Sequence, residues 1–170
     1  RTLRTERGNN ENIFGQFLAD GATNIQRTGS EYANIMSIWE WDKIPGTTSR
    51  DYPTDSGATI KKEWGIKGTT KFVGGVSDGI YGVSAYDLNY DSVQAKKAWF
   101  FFDKEVVCLG AGIKSNSPEA ITTTINQSWL RTPVIIEDGK PLSLKSHQLL
   151  QSDKLNWVTQ DRVTYYFPEK

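Results

Sequence analysis

The sequence predicts an all-β chain built of packed antiparallel sheets. Three observations carry that expectation. Apolar residues recur with period two or in short runs, Gly, Asn, Asp and Pro separate those runs, and almost no stretch follows the helical period. Hydrophobic residues make up 37% of the 170 and aromatics 12%. That is more apolar surface than a disordered chain carries, and enough for one ordinary domain core. A single β-sandwich segment over 1–170 is therefore expected, because no fixed repeat or low-complexity linker divides the chain.

Strands are expected, in order, at 13–18, 23–27, 71–76, 80–88, 95–102, 105–113, 120–126, 133–137, 157–159 and 162–167. The pair 95–102 and 105–113 reads as a hairpin turning at Asp103-Lys104. Its Trp99-Phe100-Phe101-Phe102 block suits a sheet buried on both faces. Asp138-Gly139 supplies the positive φ of a tight turn and predicts a second hairpin. Segments 31–39 and 145–151 fit either period, and in a chain of strands they are expected to be short and irregular. The chain opens without Met and with an Arg-rich stretch, so it reads as an incomplete piece of a longer protein.

Twenty basic and twenty acidic side chains cancel. No long-range field would draw nucleic acid or an anionic membrane, and neither is an expected partner. No apolar run approaches the roughly 20 residues that span a bilayer. Cys108 is the only cysteine, so no internal disulfide can form, and within Val106-Val107-Cys108-Leu109 it reads as a small buried hydrophobe. His147 is the only histidine, which excludes imidazole-based zinc chemistry. No nucleophile elbow or phosphate loop occurs.

Two segments remain as candidates. In 39–53, Glu40 and Asp42 lie two apart, and Pro45-Gly46 can turn the chain so that Asp51 returns beside them. With the Tyr52 carbonyl these carboxylates would make an oxygen cage for Ca²⁺. Surface pairing with Lys43 and Arg50 is the competing interpretation. In 1–12, Arg4, Arg7 and the Gly8-Asn9-Asn10 turn could face an anionic sugar, or form a solvated loop. Trp64, between Lys62-Glu63 and Gly65, is the one aromatic whose neighbours suggest a loop rather than a strand, where a sugar-stacking platform competes with ordinary packing.

Arg7-Gly8-Asn9-Asn10-Glu11-Asn12-Ile13, followed by Ile38-Trp39-Glu40-Trp41-Asp42-Lys43-Ile44-Pro45-Gly46-Thr47-Thr48 and by Lys97-Ala98-Trp99-Phe100-Phe101-Phe102-Asp103, resembles the central β domain of polysaccharide lyase family 8, most of all its chondroitin AC-type members. The resemblance implies a large antiparallel β-sandwich of the supersandwich, galactose mutarotase-like type. It implies a parent that cleaves chondroitin sulfate, hyaluronan or related uronic acid polysaccharides by β-elimination. In that family an N-terminal helical toroid and a C-terminal β domain flank this region, and the toroid carries the principal catalytic groups. The isolated piece is then expected to be inactive, and the parent to be monomeric and secreted or periplasmic. Residue by residue, Glu6 looks like the glutamate that orients the catalytic side chains, and Asn9 like the neighbouring amide that touches substrate. Arg4, Arg7 and Trp64 are implied as further substrate contacts by position. Glu40, Asp42, Asp51 and Tyr52 look like a structural calcium site. The alternative from a different class is a non-catalytic carbohydrate-binding module.

Overall fold

A computed structural model describes residues 15–52, 68–137, 139, 141–142 and 148–168. Ten strands are present among them, and every pairing is antiparallel. The chain divides into two compact units, with boundaries after Thr28, Ile35 and Gln127.

The larger unit is organised by a four-stranded meander: β2 (Val73–Ser77), β3 (Gly82–Tyr90), β4 (Val93–Phe101) and β5 (Val106–Ser115), in that spatial order. Adjacent strands follow one another in sequence because the turns between them are short. Asp91 and Ser92 take φ of 50° and 67° and close a two-residue turn between the paired Tyr90 and Val93. The predicted turn at Asp103-Lys104 is present, closed by Phe102 N–H donating to the Glu105 carbonyl at 2.9 Å. A separate two-stranded ribbon pairs β1 (Thr48–Arg50) with β6 (Ile121–Thr123). Leu88, Val93 and Ala95 form the buried cluster on one face of the meander, with Tyr86, Tyr90 and Ile121 packed against it.

The smaller unit comprises Gly29–Ile35 and the chain from Ser128 onward. Its sheet runs β10 (Val163–Tyr166), β9 (Trp157–Gln160), β7 (Val134–Ile136), β8 (Pro141–Leu142). The Asp-Gly hairpin predicted here joins β7 to β8, with Gly139 at φ 70° and its N–H on the Ile136 carbonyl at 2.8 Å. Arg131 ties the unit's two stretches of chain together through the Ser30 carbonyl and hydroxyl, at 2.6 and 2.8 Å.

Several expectations are corrected. Within 13–18 the described residues belong to a 3-10 turn, Gly15–Ala19, and 23–27 forms none of the strands among the described residues. Instead Thr23 N–H bonds the Pro45 carbonyl at 2.7 Å and holds that segment against the following loop. Arg162 lies in the β9–β10 turn at φ 64° rather than in a strand. The aromatic hairpin is not covered on both faces: Phe101 and Phe102 are exposed, as is Cys108, because β5 presents its side chains to solvent along most of its length.

Candidate functional site

The candidate cation segment begins in a 3-10 turn, Trp41–Lys43, rather than in extended chain. Lys43 N–H closes it on the Glu40 carbonyl at 2.9 Å, so Glu40 and Asp42 do not share a side as strand residues would. Gln127, from the chain after β6, clamps this turn. Its amide oxygen accepts from Glu40 N–H at 2.8 Å, and its amide nitrogen donates to the carbonyls of Glu40 and Lys43 at 3.1 and 2.9 Å. Trp39 joins the clamp through its indole N–H on the Gln127 carbonyl at 3.2 Å.

The Ile44-Pro45-Gly46-Thr47 turn then reverses the chain into β1, and Ile44 and Thr47 are fully buried. Gly46 has φ 83°, and a Cβ there would lie 2.6 Å from both the Gly21 carbonyl oxygen and the Thr23 side chain. Glycine alone satisfies both the conformation and the space. The reversal brings Asp51 back to Asp42. Lys43 Nζ donates to Asp42 Oδ2 at 3.0 Å and to Asp51 Oδ1 at 2.7 Å, so the two carboxylates converge on one cationic centre. Tyr52 N–H bonds Asp42 Oδ2 at 3.0 Å, and the Thr122 hydroxyl donates to Asp51 Oδ1 at 2.6 Å. Burial opposes the charge on Lys43, but its bonds to Asp51 and Asp42 outweigh it and the pKa rises. Burial likewise opposes ionisation of Asp51, yet Lys43 and Thr122 hold its pKa below the ordinary range.

Asp42 and Asp51 thus form a carboxylate pair suited to a cation, and the Lys43 ammonium supplies the positive charge at that position. A metal ion and this ammonium cannot occupy the same centre. Glu40 is exposed, and among the described residues no three His, Cys, Asp or Glu side chains are gathered as a metal-binding group. Arg50, the other basic partner considered from sequence, turns away. It makes a two-pronged contact with Asp91 at 2.8 and 3.1 Å and reaches Glu119 at 3.2 Å. The Tyr52 hydroxyl also donates to Asp91, and the Arg50 guanidinium lies 4.6 Å from the Tyr52 ring centroid. Burial and the bond to Asp91 both raise the Tyr52 pKa, so the phenol stays neutral. Arg4, Glu6, Arg7, Asn9 and Trp64 lie outside the described residues.

Sequence reasoning missed three organising residues: Gln127, Asp91 and Lys97. Lys97 sits in β4 with 7% of its surface exposed. Its ammonium donates to the Gly46 carbonyl, to Thr48 Oγ1 at 2.9 Å and, at 3.5 Å, to the Asp20 carbonyl. Burial lowers its pKa to about 8. A signal was available, because Lys97 shares its strand face with Val93 and Trp99, where an unpaired lysine would not be tolerated.

The super-sandwich domain of polysaccharide lyase family 8 matches residues 1–170. The chondroitinase-AC of Pedobacter heparinus is 62% identical over 169 residues, covering 99% of this chain and 24% of that protein. A hyaluronate lyase of Enterococcus faecalis is 28% identical over 199 residues, covering all of this chain and 18% of its own length. A chondroitinase AC lyase solved in oligosaccharide complexes superposes with a TM-score of 0.88 at 61% identity, over 99% of this chain and 25% of that one. A chondroitin AC lyase variant from Streptomyces coelicolor gives 0.64 at 25% identity, over 94% of this chain and 22% of that one. The chain thus spans a quarter or less of these relatives.

Proposed function

The chain belongs to polysaccharide lyase family 8, as its super-sandwich domain, and from that premise we propose that it works within a longer secreted or periplasmic lyase that cleaves chondroitin- and hyaluronan-type polysaccharides by β-elimination. The observation that carries this reading is the 62% identity to a chondroitinase-AC along 99% of the chain. No helix among the described residues is long and apolar enough to cross a membrane.

Elimination removes the C5 proton of a uronic acid and breaks the C4–O bond to the departing sugar. The C5–H electron pair becomes the C4=C5 double bond, a base takes the proton, and an acid protonates the leaving oxygen. The C5 proton is too weakly acidic until the adjacent carboxylate is neutralised by donors aimed at the developing charge, commonly the largest catalytic contribution. In this reading those donors, the base and the acid belong to a helical domain of the same polypeptide, with a second β domain following. Glu6 is then a positioning residue, fixing a cationic side chain of that helical domain. Asn9 contacts the sugar directly, and Arg4, Arg7 and Trp64 extend the contact along the polymer. This piece by itself would not turn over substrate.

A structural calcium ion belongs to the same reading. Asp42 and Asp51 would hold it with Glu40 and the Tyr52 carbonyl, in competition with the Lys43 ammonium for the carboxylates. Such an ion would supply folding free energy and no step of the elimination.

The test is Glu6→Gln in the intact lyase, following the unsaturated product by its ultraviolet absorbance. Turnover is expected to fall by orders of magnitude with the melting temperature unchanged. Wild-type turnover would remove Glu6 from the cleft.

A further inference from the structure

The stretch between Asp42 and Asp51 decides whether the two carboxylates meet, and its middle is gripped from the meander by Lys97. This lysine lies in β4 on the face that carries Val93 and Ala95, and is 7% exposed. Its ammonium finds three acceptors, each from a different piece of chain. They are the Gly46 carbonyl in the reversing turn, Thr48 Oγ1 in β1 at 2.9 Å, and the Asp20 carbonyl at 3.5 Å. The fit is close: a Cβ on Gly21, whose φ is 97°, would lie 2.7 Å from Nζ. The Thr48 hydroxyl extends the contact to Thr123 Oγ1 in β6 at 2.9 Å. Backbone bonds tie the same pieces together, from Thr48 N–H to the Asp20 carbonyl at 3.1 Å and from Gly46 N–H to the Thr124 carbonyl at 2.7 Å.

Burying an ammonium is costly unless its protons find acceptors, and an apolar side chain would fill the same volume without that cost. What the lysine adds is direction, because an ammonium with three donors fixes three oxygens relative to the strand that bears it. From Gly46 to Asp51 the chain has little slack. The Thr47 and Ser49 hydroxyls donate back to the Ile44 and Asp42 carbonyls at 2.7 and 2.6 Å, and Asp51 N–H reaches the Ala120 carbonyl at 2.8 Å. A shift at Gly46 or Thr48 is therefore carried on to Asp51 rather than absorbed on the way.

We propose that Lys97 is a positioning residue for the Asp42–Asp51 pair. Its ammonium sets where the turn at Gly46 and Thr48 sits against β4, and with it the convergence of the two carboxylates on a cation. The inference rests on the reading of that pair as a cation site, and it assigns the geometry of the site to a strand that contributes no ligand. A lysine that only filled space would be matched by methionine, which has a similar reach and no protons to donate.

The test uses the intact protein, freed of divalent cations by a chelator, and follows acylation of the Lys43 amine by a succinimidyl ester, with the modified peptide identified by mass. Lys43 is held by Asp42 and Asp51 and reacts slowly in wild type. Lys97→Met should raise its rate roughly 10-fold, the factor that one charge-assisted hydrogen bond commands. Leu88→Ala, which opens a cavity in the core cluster of the same meander, should leave the rate unchanged. Calcium titrated into the same proteins by calorimetry gives a second readout, with affinity expected to fall in Lys97→Met and to hold in Leu88→Ala. Thr48→Val, which removes one acceptor from the lysine, serves if Lys97→Met does not fold, and should move both readouts in the same direction. Wild-type Lys43 reactivity in a folded Lys97→Met would overturn the proposal, as would an equal rise in Leu88→Ala, which would assign the effect to general loosening. A wild-type protein that binds no calcium would refute the calcium reading, and the acylation rates would still decide the role of Lys97.

Discussion

Lys97 offers a quantitative test, because its burial fixes both the sign and the size of a pH effect. Its pKa falls from the ordinary 10.5 to about 8, driven by burial, while Asp20 and Cys108 act weakly in the opposite direction. Between pH 8 and 10.5 the unfolded chain therefore binds a proton that the folded chain has released, and stability must rise with pH across that window. From pH 7 to pH 10 the gain is roughly 2–3 kcal/mol, at about 1.4 kcal/mol per unit of pKa. At a slope of about 2 kcal/mol/M this moves a urea midpoint by roughly 1–2 M. The perturbation is Lys97→Met in the intact protein, made in a Cys108→Ser background. The cysteine change matters because the surrounding strands partly desolvate the Cys108 thiol, exposed though the residue is, and raise its pKa, so that its linkage opposes that of Lys97 above pH 9. Tyr165, pushed up to about 12 by burial, opposes it only above pH 10. The assay is urea unfolding followed by tryptophan fluorescence at pH 7, 8, 9 and 10. The protein that keeps Lys97 should gain on the Lys97→Met variant steadily above pH 8, while below pH 8 the difference stays constant. A difference flat from pH 7 to 10 would refute the buried, proton-releasing ammonium and the packing around it.

Other perturbations follow from single contacts. Gly46→Ala should destabilise by about 2–4 kcal/mol, since it combines a left-handed backbone with contacts at 2.6 Å, and a melting temperature within a degree of wild type would show that the turn relaxes freely. Arg50→Ala and Asp91→Ala, with the double variant, should give a coupling energy of about 1–3 kcal/mol for this two-pronged pair, and an additive double variant would contradict its geometry. Lys43→Met should enlarge the rise in melting temperature produced by millimolar calcium, because the ion no longer competes with an ammonium. If a chelator leaves both proteins unchanged, the cation site is dismissed.

The meander was readable because its information is local. Strands β3, β4 and β5 alternate or run apolar over nine or ten residues, with short polar turns between them, and sequence assigns all three within a few residues. The β7–β8 hairpin was equally local, since Gly139 provides the positive φ its turn requires. What failed depends on distance. Strand β1 is three polar residues whose pairing partner, β6, lies some seventy positions later, so no local signal marks it. The 3-10 turn at Gly15–Ala19 lies in an apolar stretch too short for its period to be decided. In the candidate site, the return of Asp51 to Asp42 was legible in Pro45-Gly46. The bridging role of Lys43 was legible only as the competing possibility. The Gln127 clamp was not legible, because it acts on Glu40 from 87 residues away.

The most direct measurement of the central claim is an elimination assay on the intact protein and on residues 1–170 side by side, with chondroitin and hyaluronan as substrates. The intact protein should release unsaturated oligosaccharides and the shorter piece none. An intact protein that binds these polymers without ever forming the C4=C5 bond, or a 170-residue piece that forms it alone, would contradict the account.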